Sequence, residues 1–245
     1  MAKNQAKSTQ AEAPETTRQA ILQAAIREFS AHGLAGARTE AIAESAGANK
    51  ALLYYYFKNK SGLYAAAIEA VSGKVVEDAL AALDPAYTAG ERLLRTALNH
   101  FDRILSQREF QSLLQQEMVR FSREDSGAQP VFFQRTFKPL MEKMQAAVHE
   151  GIETGELCKI DAMQVMYTIH GANVFYFLSA PMIQNMLPFK LFDEDALRSR
   201  REAVVKFLGN ALFSDRRYGT RLARRVLNQM PMPVVKDFQF GRKRI

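Results

Sequence analysis

The sequence has few of the residues that cross-link a chain or break its helices. Among 245 residues there are one cysteine, Cys158, 8 prolines and 13 glycines. A single cysteine allows no disulfide within the chain, which indicates a reducing compartment. No Asn-Gly or Asp-Gly pair separates alternating apolar runs, so hairpins are not indicated. Leu, Ala, Glu, Gln, Arg and Met, which favour helix, are abundant. The sequence therefore predicts an all-α fold.

Long apolar runs are also missing. The most apolar stretch, residues 174–183, includes Ser179 and Pro181 and is far shorter than the roughly 20 residues that a membrane-spanning helix needs. The first residues lack the apolar core of a signal peptide. Hydrophobic residues nevertheless make up 47% of the chain, enough to build a substantial core. We therefore expect a cytoplasmic protein with no membrane partner.

The patterns that carry catalytic chemistry are absent as well. The sequence contains no P-loop, no Gly-rich dinucleotide turn and no HExxH. The four histidines are scattered, at His32, His100, His149 and His170. An enzyme would need a nucleophile with a base, paired carboxylates or a metal site, so we expect no catalysis, no cofactor and no bound metal. His149, Glu153 and Cys158 make a weak set for a metal sensor, the alternative that a chelator would test through DNA affinity.

Positive charge is concentrated at the two ends of the chain. The net charge of +7 divides into +3 for residues 1–75, −3 for residues 76–213 and +7 for residues 214–245. Basic ends of this kind suit a polyanionic partner such as nucleic acid. The alternative is that the Arg and Lys side chains serve only to solvate the surface.

Two short predicted helices joined by a tight turn indicate a helix-turn-helix. After a helix over about residues 16–31, the apolar spacing predicts helices over 38–46 and 50–57. Gly47 permits the left-handed backbone of a sharp turn, and Asn49 offers an N-cap to the next helix. At roughly 1.5 Å per residue the second helix is about 12 Å long, which fits the major groove of DNA.

The side chains of this second helix divide by face. Leu53 and Phe57, four residues apart, are predicted to pack inward. Residues 54–57 are all aromatic and point around the whole helix, so they cannot all be buried on one face; a plain aromatic core is the alternative. Lys50 can reach a guanine edge or a phosphate, and tyrosine hydroxyls can donate to phosphates. The predicted DNA contacts are Arg38, Thr39, Ala48, Asn49, Lys50, Ala51, Tyr54, Tyr55, Lys58 and Lys60.

Residues 17–64 carry a set of residues in an order and at a spacing typical of one family: Thr17, Arg18, Ile21, Leu22, Ala24, Ala25, Phe29, Gly33, Ile42, Ala43, Ala46, Gly47, Leu53, Tyr54, Tyr55, Phe57, Lys60 and Leu63. With these residues the segment resembles the DNA-binding domain of TetR-type repressors. Three departures bear on the operator sequence. Arg38 stands where the family usually has a capping Ser or Thr, so either Thr39 caps a shorter helix or Arg38 contacts a phosphate. Tyr56 stands at a frequent His position, and residues 51–52 lack the small Gly or Thr that is common there.

The resemblance implies an N-terminal three-helix helix-turn-helix domain followed by a helical ligand-binding and dimerisation domain. It implies a homodimer formed through the last two long helices, predicted over about 161–179, where Pro181 should end the helix, and 193–213. Such a dimer binds a palindromic operator in double-stranded DNA, most commonly as a repressor, and a small-molecule effector releases it. The predicted segments are a disordered arm (1–15), the DNA-binding domain (16–62), the ligand and dimer domain (63–213) and a basic tail (214–245), either solvated or adding non-specific DNA affinity.

The effector is predicted to be a small apolar or amphipathic molecule, since ten methionines suit an adaptable apolar cavity. The candidate contacts are Phe101, Met118, Phe137, Met141, Met144, Tyr167, His170, Asn173 and Tyr176. The alternative for each of them is an ordinary core position, and for His170 a satisfied core or interface histidine. A protein adaptor that uses the tyrosine run for protein contacts is the remaining class, and its DNA binding would show no sequence preference.

Overall fold

The computed structural model describes residues 5–122 and 129–234, and the regular structure in these ranges is helical. One antiparallel bridge, between Leu157 and Phe213, is the exception within them. The predicted all-α fold is confirmed. The helices are α1 (Gln5–Gly36), α2 (Thr39–Ser45), α3 (Lys50–Phe57), α4 (Lys60–Ala82), α5 (Ala89–Ser106), α6 (Arg108–Ser122), α7 (Gln129–Glu153), α8 (Ala162–Met186), α9 (Glu194–Ala211) and α10 (Arg216–Gln229).

The chain divides into two compact units. The first comprises Met1–Lys74 with Arg108–Phe133, and the second comprises Val75–Gln107 with Gln134–Ile245. The division falls inside α4, after Lys74, and not at the predicted boundary between residues 62 and 63. The reason is that Leu63 and Ala67 of α4 are buried in the core of the first unit. The division also assigns α6 to the first unit, where Leu113 is buried in the core.

The core of the first unit is built from the apolar faces of α1 to α4, with Leu113 contributed by α6. Phe29 of α1 meets Tyr64 of α4 edge to face, with ring centroids 4.9 Å apart. Burial of these side chains removes apolar surface from water, which is the main term that stabilises so small a unit. The fully buried members are Ile21, Ala25, Phe29, Ile42, Leu53, Leu63 and Ala67.

The first helix is longer than the sequence predicts. A disordered arm is predicted over residues 1–15, whereas α1 begins at Gln5. The segment is rich in Ala, Gln, Lys and Glu, which favour helix. It extends a helix that is already anchored by packing, so it needs no nucleation of its own. Residues 1–4 of the predicted arm lie outside the described residues.

A kink at Gly33 interrupts α1 near its end. The backbone there has φ 69° and ψ 175°, outside the helical region and accessible mainly to glycine. The helix resumes as far as Gly36, so Gly33 bends the helix and does not end it. One turn before the kink, the Ser30 carbonyl accepts hydrogen bonds from Ser112 Oγ at 2.7 Å and Gln116 Nε2 at 3.1 Å. These bonds fix α6 to α1.

The second unit packs α5, α8, α9 and α10 around a shared core. One buried ion pair joins α5 to α9: the guanidinium of Arg201 donates to both carboxylate oxygens of Asp102, each at 2.7 Å, and to the Met230 carbonyl at 2.7 Å. Burial raises the pKa of the Asp102 carboxyl, and the bonds from Arg201 oppose that rise. Pairing of this kind is what allows two charges to leave water.

The first half of the predicted basic tail over residues 214–245 forms α10, which packs on the core of the second unit. The Asp215 carboxylate caps this helix by accepting from the backbone N–H of Arg217 at 2.8 Å. Arginines occupy its exposed face, while every third or fourth residue is apolar and meets the core. The buried apolar residues are Leu222, Ala223 and Val226. Residues 235–245 of the predicted tail lie outside the described residues.

Helix α8 is longer than the sequence predicts. It continues through Pro181 to Met186, whereas the sequence predicts that Pro181 ends it. The face that α8 buries carries Val165, Ile169, Asn173 and Phe177. Tyr167 and Phe175 lie on the opposite, exposed side of the helix. None of the described helices has both the length and the hydropathy required to cross a membrane.

Candidate nucleic-acid interface and effector site

The turn between α2 and α3 has the geometry that the sequence predicts. Gly47 has φ 63°, in the left-handed region. The backbone N–H of Ala48, half-buried against the core, closes the turn by donating to the Ala43 carbonyl at 2.9 Å. Asn49 Oδ1 accepts from the backbone N–H of Leu52 at 2.9 Å, which confirms the predicted N-cap. These bonds satisfy backbone groups at the start of α3 and fix the direction in which the helix leaves the turn.

The faces of α3 also divide as predicted. Leu53 and Phe57 are buried in the core of the first unit, and Tyr56 is half-buried against it. Tyr55 is 78% exposed, the highest value in the aromatic run. Lys50, Ala51 and Tyr54 are exposed on the same side of the helix. The helix thus presents a cation, a small residue and two phenol hydroxyls to solvent.

Helix α2 supports this surface in a way that the sequence leaves open. Thr39 is its first helical residue and does not cap it, since the N-cap position is taken by Arg38, whose side chain makes no cap hydrogen bond. The Arg38 backbone N–H donates to Glu28 Oε1 at 3.0 Å and its side chain is exposed. Thr39 is buried, with its hydroxyl 3.4 Å from the hydroxyl of Tyr54. Of the two alternatives for this position, the capping role for Thr39 is therefore wrong.

Two lysines follow α3 at the start of α4. Lys58 is exposed and has a positive φ of 64°, which ends α3. Lys60 is the first residue of α4, and its Nζ donates to the Ala35 carbonyl at 3.2 Å. Asn59 Oδ1 accepts from the backbone N–H of Gly62 at 2.7 Å, as an N-cap does. The sequence contains the signal for this cap, an Asn before a helical run, but the prediction overlooked it.

One carboxylate at this surface was missed altogether. Glu40, in the first turn of α2, forms an ion pair with Lys50 across the helix-turn-helix. The hydrogen bond from Lys50 lowers the pKa of the Glu40 carboxyl, and the same bond raises the pKa of Lys50. No sequence pattern could have revealed this contact, because the two residues are ten positions apart and meet only through the turn.

The predicted effector contacts fall into different environments. Phe101, Asn173 and Met144 are buried in the second unit, although Met144 packs in a different core cluster from Phe101. His170, Tyr176 and Phe137 are half-buried, and Met141 is exposed. Tyr167 is 66% exposed and Met118, which belongs to the first unit, is 59% exposed. The structure therefore brings together Phe101, His170, Asn173 and Tyr176, and it does not place Met118, Met141, Met144 or Tyr167 with them.

A buried polar cluster lies between α5 and α8. Asn173 Nδ2 donates to the Ala97 carbonyl at 2.9 Å and lies 3.4 Å from Nδ1 of His100. The ring of His100 meets that of His170 with centroids 4.5 Å apart. Asn173 Oδ1 is buried and has no hydrogen-bond partner. Sequence reasoning named His170 and Asn173 but passed over His100, because the apolar spacing of α5 gives no sign that its histidine faces α8.

Both histidines of this cluster are held neutral. Burial lowers the pKa of His100 well below its usual range, and the neighbouring His170 lowers it further. Burial also lowers the pKa of His170, whose Nδ1 lies 2.8 Å from the Met166 carbonyl. Arg103 is close by, and burial lowers the pKa of its guanidinium to about 10. Desolvation thus disfavours an additional positive charge at the two rings.

A broad apolar face lies exposed on α8 and α9. On α8 its members lie three, four or eight residues apart on one side of the helix, and Phe207 is the exposed member on α9. An open pocket of about 410 Å³ lies between the two helices, lined by residues that include Thr168, Arg200 and Phe207. Single exposed apolar residues are ordinary on protein surfaces, but a continuous patch indicates a binding surface. The stripe on α8 consists of Tyr167, Phe175, Leu178, Met182 and Met186.

Metal ligands do not cluster in the part of the chain that the structure describes. In residues 5–122 and 129–234, no group of three or more His, Cys, Asp and Glu side chains is placed to hold an ion. The set considered for a metal sensor, His149, Glu153 and Cys158, forms no such group there.

Known proteins match both parts of the chain. Residues 21–67 match the family described as "Bacterial regulatory proteins, tetR family", and residues 90–208 match "Tetracyclin repressor-like, C-terminal domain". The chain is 28% identical over 194 residues to the HTH-type transcriptional regulator RutR of Escherichia coli K12, covering 78% of this chain and 88% of that protein. It is 50% identical over 56 residues to the HTH-type transcriptional repressor SCO4008 of Streptomyces coelicolor, but the match spans 23% of this chain and only 29% of that protein.

Solved structures share the fold. A gamma-butyrolactone receptor (ArpA-like protein) superimposes with a TM-score of 0.61 at 18% identity, covering 89% of this chain and all of that one. The ketosteroid transcriptional regulator KstR2 of Mycobacterium tuberculosis gives a TM-score of 0.63 at 18% identity, covering 81% of this chain and 95% of that one. From the helix-turn-helix geometry and from matches that cover both of its parts, the chain belongs to the TetR family of transcriptional regulators, which bind DNA and are not enzymes.

Proposed function

We propose that the protein is a homodimeric repressor, acting in the cytoplasm, that binds a palindromic operator and is released by a small apolar or amphipathic molecule. The observation that carries this proposal is the surface of α3. A capped eight-residue helix is fixed by Leu53 and Phe57, while Lys50, Tyr54 and Tyr55 face solvent. Such a helix fits the major groove with its N-terminal residues toward the base edges.

The ten proposed DNA contacts have distinct roles. Lys50 and Ala51 lie at the start of α3, where they would meet base edges, and the small Ala51 allows a close approach. Tyr54 and Tyr55 would donate to phosphates, which fixes the register of the protein without reading sequence. The remaining contacts surround these on the turn and at neighbouring helix starts, where cations and free backbone N–H groups attract phosphate: Arg38, Thr39, Ala48, Asn49, Lys58 and Lys60.

A second copy of the chain is the proposed occupant of the exposed face on α8 and α9. The face is apolar and carries both large exposed side chains and an open pocket. Side chains of one copy could therefore fill the pocket of the other. A two-fold axis through such a face buries the same patch on both copies. Gly171 lies one turn from both Tyr167 and Phe175 on the exposed side of α8, so a partner helix can approach there closely. Two copies would also supply the two recognition helices that a palindrome requires.

The effector is proposed to bind beside the buried polar cluster of α5 and α8. Aromatic rings of Phe101, Tyr176 and Phe177 lie next to one another there, with centroids between 5.0 and 6.5 Å apart. They suit the apolar body of a ligand. Asn173 Oδ1, a buried acceptor without a partner, suits a hydroxyl or amide donor on the ligand. Effector and operator would then oppose each other through a coupling free energy of about 1–3 kcal/mol.

A selection from sheared genomic DNA tests the proposal. The purified full chain is mixed with fragments at about 0.15 M salt, where non-specific phosphate binding is partly suppressed. We expect retention of one or a few fragments that share a palindrome, and genes next to those fragments will suggest effectors to add in a release assay. Uniform weak retention of all fragments would refute operator binding and would favour the protein-adaptor alternative.

A further inference from the structure

Glu40 is an acidic residue in a surface otherwise suited to phosphate. The ten proposed DNA contacts include four cations and no carboxylate, yet Glu40 lies among them in the first turn of α2. Its side chain is 66% exposed, its Oε1 accepts from Lys50 Nζ, and its Oε2 lies 3.4 Å from the hydroxyl of Thr39. A carboxylate here is repelled by every phosphate that approaches α3. Its position therefore needs an explanation other than general DNA affinity.

Stability of the fold does not supply that explanation. The side chains of Glu40 and Lys50 are both about half exposed or more, and exposed ion pairs contribute little to folding. The contact does restrict Lys50. Its Nζ is bound to Glu40 and lies 5.9 Å from the centre of the Tyr54 ring. A flexible lysine is thereby held at one place on the groove-facing surface, with an acceptor directly beside its donor.

A donor and an acceptor side by side match one base pair in the major groove. Guanine presents O6 and N7 as acceptors, and its partner cytosine presents the N4 amino group as a donor. Lysine is a standard donor to the guanine edge, and glutamate accepts from cytosine N4. An A·T pair also places an acceptor, adenine N7, beside a donor, adenine N6, but it offers the ammonium one acceptor there where guanine offers two. Because an ammonium has three N–H donors, a fixed ammonium–carboxylate pair is matched better by G·C.

We propose that the Glu40–Lys50 pair reads one G·C base pair in each half-site of the operator, with Lys50 donating to guanine and Glu40 accepting from cytosine N4. This inference rests on the operator binding proposed above. Glu40 also lowers affinity for DNA of any other sequence, since at such sites its charge faces phosphates and its oxygens find no donor. Glu40 thus raises specificity in two ways: it adds a contact at the operator, and it weakens binding to other sequences.

The test is a selection from a randomised duplex library followed by sequencing, performed with the full chain and three variants. Glu40→Gln removes the charge at almost constant shape. Lys50→Ala removes the donor. Glu44→Gln is the matched control, because Glu44 is an exposed glutamate on the same helix that makes no ion pair with Lys50. Circular dichroism establishes that each variant is folded.

The expected result is a loss confined to one position. Wild type and Glu44→Gln should select the same palindrome with a conserved G·C pair in each half-site. Glu40→Gln and Lys50→Ala should lose the preference at that same pair, by roughly ten- to hundredfold, and keep the others. Glu40→Gln should also bind a scrambled duplex more tightly than wild type.

Two results would overturn the inference. If Glu40→Gln selects the wild-type palindrome unchanged, or if the two variants lose different positions, the pair does not read one base pair. If wild type itself selects no palindrome, the proposed operator binding fails and this inference fails with it, whereas a wild-type palindrome leaves operator binding established whatever the variants do.

Discussion

The two units of the chain differ in how far their own residues cover their apolar surfaces. In the first unit, the starts of α3 and α4 are capped locally by Asn49 and Asn59, and Leu53 and Phe57 on the apolar side of α3 are buried. The second unit leaves a long apolar face exposed on α8 and α9. The apolar side of the recognition helix is thus covered from within its own unit, whereas the second unit retains an apolar surface that another molecule can cover.

The largest effect is expected where the second unit depends on a second copy. Phe175→Glu puts a charge on the exposed stripe of α8, and two-fold symmetry buries that charge twice in the dimer. An unpaired buried charge costs several kcal/mol, so we expect dimerisation to weaken by a thousandfold or more while the monomer stays folded. Sedimentation velocity measures the dimer fraction. Met118→Glu, at a similarly exposed methionine of α6, is the control, and an unchanged dimer in Phe175→Glu would exclude this face as the interface.

The second prediction concerns the buried ion pair between Arg201 and Asp102, which joins α9 to α5 in the second unit. Arg201→Ala leaves Asp102 buried without its guanidinium and removes a bond to the Met230 carbonyl. Breaking a buried pair from one side costs about 3–5 kcal/mol of unfolding free energy, which urea unfolding measures. Arg198→Ala removes an exposed pair with Glu194 on the same helix and should cost less than about 1 kcal/mol. Equal losses in the two variants would contradict the buried role of Arg201.

The third prediction uses the neutral histidines of the second unit. Burial lowers the pKa values of His100 and His170 in the folded state, while in the unfolded chain they return to about 6.5. Below pH 6.5 the unfolded chain takes up protons that the folded chain refuses, so the free energy of unfolding falls as pH decreases. Each histidine contributes at most about 1.4 kcal/mol per pH unit.

Thermal unfolding between pH 7 and pH 5 measures this dependence. His170→Gln should flatten the fall, because one of the two buried rings no longer titrates. His32→Gln, at an exposed histidine of the first unit, should leave the slope as in wild type. A stability that stays constant over this pH range in wild type would show that the rings are not protected from protonation.

The smallest effects are expected at the surface of the first unit. Lys50→Ala and Tyr54→Phe should each weaken operator binding, by about tenfold for the lysine and less for the phenol hydroxyl, with the circular dichroism spectrum unchanged. Fluorescence anisotropy with a labelled operator measures both. Lys138→Ala, at an exposed lysine of the second unit, gives a charge-matched control that should leave the affinity unchanged. Wild-type affinity in both test variants would mean that α3 presents another face to DNA.

The sequence is informative where structure depends on neighbouring residues. Gly47 and Asn49 mark the turn and the cap, and the spacing of Leu53 and Phe57 marks the buried face of α3, because each of these signals acts within one or two helical turns. All three features appear in the structure. The division of roles among the DNA contacts stays a prediction, since it depends on where the groove lies.

The sequence is less informative where structure depends on tertiary contacts. Pro181 does not end α8, because burial against the second unit outweighs the local preference of proline for a helix end. The stretch after residue 214 has helix-favouring residues, but the packing of α10 on the core of the second unit depends on distant contacts. The Glu40–Lys50 pair and the His100–His170 contact join residues from different helices, so no local pattern encodes them. The sequence predicts that Met118 lines the effector cavity, but its side chain is exposed. The sequence pattern of a methionine at helical spacing is the same whether its side chain lies in a cavity or in solvent.

The kink at Gly33 has a genetic consequence. A side chain there would be strained at φ 69° and would also meet the Gln116 amide oxygen at 3.1 Å, so almost any substitution would disturb the bonds that Ser30 accepts from α6. Gly33 is not among the proposed contacts with DNA or effector. A screen for alleles that lose operator binding would therefore recover Gly33 together with Ser112 and Gln116, as mutations that loosen α6 from α1 without removing a proposed DNA contact.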